Sequence, residues 1–274
     1  MALTLVGAGC DPYLSDSLPA SIARTRSLMI VAIDGPAGSG KSTTARRVAD
    51  AMGWLYLDTG AMYRTIGLAF LDRGAPFTAE AAADLVDDLD LDLRMGTDGL
   101  RACLDDVDVT ERIRTPEASE AASRVSAFPA VRERLVDEQR RIAQEQTSKG
   151  RGVVMEGRDI GTVVAPEAEV KVYMVANPEE RAERRHRELV ARGEDVSLGE
   201  VADEISERDA RDATREVSPL RQAKDAITVD TTGLSIDEQV ERVVALIRER
   251  GATSSVQPDP ADADSATRTI SSSS

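Results

Sequence analysis

Five short apolar runs punctuate the chain: MIVAI at 29–33, WLYLD at 54–58, GVVM at 152–155, VKVYMV at 170–175 and AITV at 226–229. Each is continuous rather than alternating and too short for a buried helix, which is the pattern of strands covered on both faces. Apolar residues recur at helical spacing in STTARRVADAM (42–52) and in AMYRTIGLAFLDRG (61–74), the latter closing near Gly74 and Pro76. Two further helical stretches, 178–192 and 235–250, follow the last two runs. Pro178 and Ser235 stand where helices begin, and Gly251 where one ends. Strands alternating with helices predict an α/β domain, with a five-stranded parallel sheet and helices on both faces.

One block breaks this rhythm. From 84 to 147 the chain first turns acidic, with ten Asp and Glu against two Arg over 84–111. LDLDLRM (89–95), LRACLDD (100–106) and VDVT (107–110) alternate as short strands around the turn GTDG. PEASEAASRVSAF (116–128) and PAVRERLVDEQRRIAQEQ (129–146) then read as helices, the second with Val131, Leu135 and Ile142 on one face. The block is expected to be a lobe inserted between the second and third strands, its acidity a solvated surface. Residues 1–28 show no sustained period and are expected to form a disordered leader. LTLVGAG lacks the basic start and the length of a signal peptide, which also counts against lipidation at Cys10. Met29 then stands as a possible functional start. The Ser-, Ala-, Asp- and Pro-rich stretch 252–274 is expected to be a disordered tail.

Composition mostly excludes. At 274 residues the chain can bury a sizeable core. Against 49 acidic side chains it has 34 basic ones, a net charge of −15, which argues against coating a nucleic acid or an anionic membrane. No run of eighteen apolar residues offers a membrane span. His186 is the only histidine, and Cys10 and Cys103 the only cysteines. A zinc centre built from several such ligands is therefore impossible in one chain, and the cysteine usage fits a reducing cytoplasm. Lysine occurs only at 41, 149, 171 and 224, so arginine carries most of the positive charge.

One lysine sits in the strongest motif. GPAGSGKS at 35–42 matches G-x-x-x-x-G-K-[ST] and lies between an apolar strand and a helix, the context the motif requires. Its glycines let several backbone N–H groups point at an anion, and the helix adds its positive end. Lys41 would reach the outer phosphates of a nucleotide, and the Ser42 hydroxyl would hold Mg2+. Such a loop serves kinases, switches and motors alike. A guanine-reading Asn/Lys-x-Asp segment is missing, since Asn177 is the only asparagine and precedes ProGlu. The strand VVMEG offers only Glu156 where motors carry an aspartate. Arginines near strand ends favour phosphoryl transfer to a small acceptor, which needs several cations around one anionic centre.

These arginines have two readings each. Arg64, just after the second strand, is either at the ligand-binding edge of the sheet or on a helix surface. Arg158 and Asp159 in EGRDIG (156–161) lie at a strand end, where a site is favoured over packing. Arg208, Asp212 and Arg215 share one helical face as either an intrahelical ion ladder or a lid over phosphates. Arg181, Arg184, Arg185 and Arg187 make a basic helix that is equally a salt-laced surface, with His186 as one more exposed side chain. On the residues alone, a kinase for another small acceptor and a non-enzymatic nucleotide switch both stay open.

Five segments carry a resemblance: IDGPAGSGKST, LDTGAMYR, ASRVSAFPAVR, EGRDIGTVV and ERDARDATREVSPL. In order and spacing they resemble the bacterial cytidylate kinases, over residues 29–250. The resemblance implies a P-loop kinase fold with a core at 29–83 and 148–251, a helical lid at about 180–218 and a monophosphate-binding lobe at 84–147. It implies transfer of the terminal phosphate of ATP to CMP or dCMP with Mg2+, by a cytoplasmic monomer with no nucleic-acid or membrane partner. ATP would lie on Gly35, Pro36, Ala37, Gly38, Ser39, Gly40, Lys41, Ser42 and Thr43. Ser123, Arg132 and Asp159 would read the cytosine edge; Arg64, Arg158 and Arg215 would hold the acceptor phosphate, Arg208 and Asp212 the sugar hydroxyls, with Thr59 nearby. Lys41, Arg158, Arg208 and Arg215 would neutralise the transferring group. Glu156 stands where some relatives have Asp, a difference given little weight.

Overall fold

A computed structural model of the chain describes residues 29–96, 99–215 and 217–254. The expected leader, the centre of the GTDG turn and the tail beyond 254 lie outside the described residues. The five apolar runs form strands β1 (Ile30–Asp34), β2 (Leu55–Asp58), β6 (Val153–Gly157), β7 (Val170–Val175) and β8 (Ile227–Asp230). They pair in parallel in the order β2-β6-β1-β7-β8. Successive side chains take opposite faces: Val31 and Ile33 join one hydrophobic cluster while Ala32 joins the other, and Val154 faces away from Val153 and Met155. Helices α1 (Lys41–Met52) and α8 (Ile236–Ser254) cover one face. α2 (Thr59–Asp72) leads the cover on the other.

The block after α2 builds on that second face. α3 (Ala79–Asp88) begins before position 84 and was not legible as a helix, because only Ala82 and Leu85 are buried in it. β3 (Leu91–Gly96), β4 (Gly99–Leu104) and β5 (Val107–Asp108) make a separate antiparallel sheet. α4 (Pro116–Val125) and α5 (Pro129–Ser148) follow, each opened by proline at its first turn. Leu85, Leu93, Leu104, Val125 and Leu135 belong to the same cluster as Met62, Phe70 and Met155, so the inserted block shares its core with the sheet. By contrast α6 (Pro178–Ala191) and α7 (Leu198–Thr214) close a small cluster of their own around Ala182, Leu189, Val201 and Ile205. α7 starts with a capping box between Ser197 and Glu200.

Two expectations are corrected. Gly251 does not end α8, which runs to Ser254; Gly251 is not in the left-handed region, and a glycine that keeps helical dihedrals costs only about 1 kcal/mol. His186 is not simply exposed: it is partly buried, with Nε2 3.0 Å from the Val196 carbonyl.

α4 lies close to α2 because α2 carries glycine at the crossing. A Cβ on Gly67 would stand 2.7 Å from the Ala122 nitrogen and 2.9 Å from the Ala121 Cβ. Gly67→Val should therefore destabilise the fold by about 1–3 kcal/mol through overpacking, measured as a drop in thermal midpoint of about 2–4 °C per kcal/mol.

Candidate functional site

All five parallel strands end at one edge of the sheet, and the polar residues gather there. β1 runs into the loop 35–40, where Gly38 and Gly40 have φ of 73° and 87°. α1 starts at Lys41 with no side-chain cap, so its first N–H groups face the loop unpaired by side chains. The loop is braced from outside. Arg181 Nη1 donates to the Ala37 carbonyl at 3.1 Å and Thr231 Oγ1 to the Ser39 carbonyl at 3.0 Å. Thr44 donates to Gln239 Oε1 at 2.9 Å. Lys41 Nζ donates to the Pro36 carbonyl at 3.0 Å. Ser42 Oγ donates to Glu156 Oε2 at 2.9 Å, and Tyr56 OH to Glu156 Oε1 at 2.7 Å. Thr43 is exposed.

Beside the loop, β2 and β6 deliver the remaining groups. Asp58 caps α2 by accepting from Ala61 N at 2.8 Å, and its other oxygen accepts from Arg64 Nη2 at 2.9 Å. One carboxylate thus starts the helix and aims the arginine. Thr59 Oγ1 donates to the Glu156 carbonyl at 2.6 Å. Past β6, Arg158 Nε donates to Asp212 Oδ2 at 2.8 Å. Asp159 is paired with Arg132 of α5, both buried. Arg215 Nη1 donates to Ser126 Oγ at 3.2 Å, and Ser126 Oγ donates to the Ser123 carbonyl at 2.8 Å. Asp212 is thus bonded to Arg158 across the site, not held in an ion ladder with Arg208. In α6, Arg184 does pair with Glu180 and Arg185 with Glu188. Arg181 instead reaches the phosphate loop and Asp209 of α7 at 2.5 Å.

So much cation in one place has an electrostatic price. Burial and the Arg158 guanidinium, with Arg208 adding to them against Glu156, pull Lys41 down to about 7. Burial and Arg158 likewise lower Arg208 to about 10. Asp212 is held below the usual carboxylate range: burial works against its charge, and Arg158 and Arg208 outweigh it. Several polar atoms of these side chains are buried without a partner. Arg64 Nε, Ser123 Oγ, Arg132 Nη1, Arg208 Nε and Arg215 Nη2 are such atoms. Each leaves about 1–3 kcal/mol of desolvation uncompensated, which a polyanionic, polar ligand would offset.

Sequence reasoning missed some of this. Glu156 was given little weight, yet it joins Ser42 to Tyr56. Tyr63, whose hydroxyl is buried without a partner and whose ring centroid lies 5.9 Å from the Arg132 guanidinium carbon, had no role. Burial pushes that hydroxyl up to about 12. Gln139, 1% exposed and with both amide atoms unpaired, also had none. Its signal was available: it falls on the α5 face of Leu135 and Ile142, where a polar residue is out of pattern.

The family model for cytidylate kinase matches residues 31–249. A cytidylate kinase of Carboxydothermus hydrogenoformans is 51% identical over 220 residues, covering 80% of this chain and 97% of that protein. The cytidylate kinase of Salinibacter ruber is 49% identical with the same coverage, and that of Exiguobacterium sibiricum 48% identical over 79% of this chain and 95% of its own.

Lys41 supplies a test of the phosphate loop. Its ammonium, lowered to about 7, is largely neutral at higher pH in the free protein, and an added polyphosphate raises it again. Binding of a nucleoside triphosphate at about pH 8 should take up close to one proton, and none below about pH 6. Calorimetry in two buffers of different ionisation enthalpy reads the uptake, and Lys41→Met should abolish it.

Proposed function

The chain belongs to the cytidylate kinase family, and from that premise we propose that it transfers the terminal phosphate of ATP to CMP or dCMP, giving ADP and CDP or dCDP. One observation carries the reading for this chain's own residues. Consecutive residues at the end of β6 face two sides: Arg158 bonds Asp212 of α7 beside the phosphate loop, and Asp159 bonds the buried Arg132 of α5. A base-reading pair and a phosphate-neutralising arginine are thereby fixed one residue apart.

In the mechanism, the triphosphate lies on residues 35–43, with the free N–H groups of α1 and Lys41 against its outer oxygens. Arg64, Arg158 and Arg215 hold the CMP phosphate, and Arg208 and Asp212 take the sugar hydroxyls. Ser123, Arg132 and Asp159 read the base. Cytosine offers an amino donor to the Asp159 carboxylate; uracil presents an oxygen there and leaves the carboxylate oxygen not bonded to Arg132 without a donor. An oxygen of the CMP phosphate attacks the terminal phosphorus of ATP in line, the bond to the bridging oxygen of ADP breaks, and the arginines balance the spread charge. No covalent enzyme intermediate forms. Closure of α6 and α7 over the site keeps water from replacing the acceptor.

The residues suit Mg2+. Ser42 Oγ and the Glu156 carboxylate are hard oxygen donors in contact. Among the described residues no three His, Cys, Asp or Glu stand together as a cage, so the ion's other ligands come from phosphates and water. When bound, the ion supplies positive charge to the phosphate oxygens. We take the working form to be a cytoplasmic monomer; the net charge of −15 supports the absence of a nucleic-acid partner.

ADP release measured with CMP, dCMP, UMP, AMP and shikimate as acceptors tests this. CMP and dCMP should be used, with UMP at least about 100-fold poorer in kcat/KM; UMP equal to CMP removes Asp159 from base reading. Lys41→Ala should lower kcat by about 100- to 1,000-fold.

A further inference from the structure

Arg158 and Asp159 lead into a single π-helical turn, Ile160–Val164, a rare geometry that is frequent at functional sites. Side chains from elsewhere clamp it at both ends. At its start, the two oxygens of Asp34 accept from Ile160 N and Gly161 N, both at 2.8 Å. At its end, Arg140 of α5 donates through Nε to the Val164 carbonyl at 3.0 Å and through Nη2 to the Val163 carbonyl at 2.8 Å. Asp34 is the last residue of β1 and adjoins Gly35, the first of the phosphate loop. It is 5% exposed. A carboxylate in that position is disfavoured by burial, which pushes it up to about 6 although the two N–H groups work the other way.

The surroundings give Asp34 no dedicated counter-ion. Lys171 of β7 packs its stem by Gly161, but its ammonium is bound to Asp225 at 2.8 Å and to the Pro166 carbonyl at 2.5 Å. Arg158 is bonded to Asp212. Asp159 adds a like charge, and Tyr173 of β7 stands in the Asp34 field. What Asp34 does hold is backbone: it joins the residue before the phosphate loop to the two residues after the acceptor-reading pair.

We infer that Asp34 is a positioning residue that fixes the direction of Arg158 and Asp159 by anchoring the backbone of residues 160 and 161, setting the phosphate loop and the acceptor pocket in one frame. This rests on reading Arg158 and Asp159 as acceptor-binding residues. Releasing the anchor turns both side chains while leaving the loop's own braces, Arg181 and Thr231, in place.

Asp34→Asn keeps one acceptor oxygen and Asp34→Ala keeps none. KM for CMP should rise about tenfold in the first and more in the second, with KM for ATP within about twofold, since displacement of about 1 Å costs such factors. The CMP-over-UMP preference should fall about tenfold in parallel. Arg140→Ala frees the other end of the same turn from an exposed position and should give the same pattern at about threefold; it decides the matter if the Asp34 variants fail to fold, judged by Trp54 fluorescence. Equal rises in both KM values, or an unchanged CMP-over-UMP preference in the folded variants, overturn the positioning role. Wild-type protein without CMP-dependent ADP release would instead overturn the kinase reading itself.

Discussion

Parallel pairing of β1 with β6 sets Asp34 beside Gly157, and the site follows from that register. In a parallel sheet every strand ends at the same edge. β1 hands over to the phosphate loop there, and its neighbour hands over to Glu156, Arg158 and Asp159. β2, on the far side of β6, brings Asp58, Thr59 and Arg64 to the same level. The chemistry is assembled by backbone hydrogen bonds between strands whose side chains are almost wholly apolar. A one-residue slip of β6 would send Val153 and Met155 to the wrong face and carry Arg158 and Asp159 away together.

The overall charge and the local charge have opposite signs. The −15 of the whole chain lies partly in the stretch 84–111, which runs from α3 through the separate sheet β3-β4-β5. Within the site, burial and the Arg158 charge lower the proton affinity of Lys41 and, less, of Arg208, while Arg158 itself is raised: burial works against its charge and Asp212 outweighs it. Without phosphate this arrangement is unfavourable and the hydrophobic core around the sheet must hold it; with phosphate the same repulsion becomes attraction to the ligand. The acidic exterior adds selectivity of another kind. It disfavours long polyanions, which would have to lie along the surface, and leaves single nucleotides free to reach the cleft.

The sheet was legible because continuous apolar runs of four to six residues admit few alternatives, and the phosphate loop because glycines, a lysine and a serine at fixed spacing have one good physical use. The helices α4 to α6 were legible from spacing and open on Pro116, Pro129 and Pro178, whereas of α7 only the face carrying Arg208, Asp212 and Arg215 was read. α3 was not, because its sequence buries only two side chains. The π-turn was not, because nothing in IGTVV distinguishes it from a loop; it exists through Asp34 and Arg140, 126 and 23 residues away. The partner of Asp212 was likewise invisible. Spacing along α7 offered Arg208, four residues back, and tertiary structure supplied Arg158, 54 residues away. Local periodicity places a residue on a face but not what stands opposite it.

The pairing of Arg158 with Asp212 also bears on how α6 and α7 move. These helices keep a small hydrophobic cluster to themselves. Across to the rest of the molecule they reach largely through polar contacts: Asp212 to Arg158, Arg215 to Ser126, Arg192 to the Arg114 carbonyl and Arg181 to the Ala37 carbonyl. Polar contacts of this kind exchange readily for water, whereas parting an apolar interface costs about 25 cal/mol per Å2 exposed. The hairpin can therefore lift as a unit with its own core intact. Three of the residues that hold it down, Arg158, Asp212 and Arg215, are also those assigned to the acceptor's sugar and phosphate. On that assignment a bound nucleotide would compete for these groups, exchanging the Arg158–Asp212 ion pair for contacts to its own phosphate and sugar. If closure over substrate uses the same side chains as closure in the free protein, much of the geometry needed for transfer is formed before the substrate arrives.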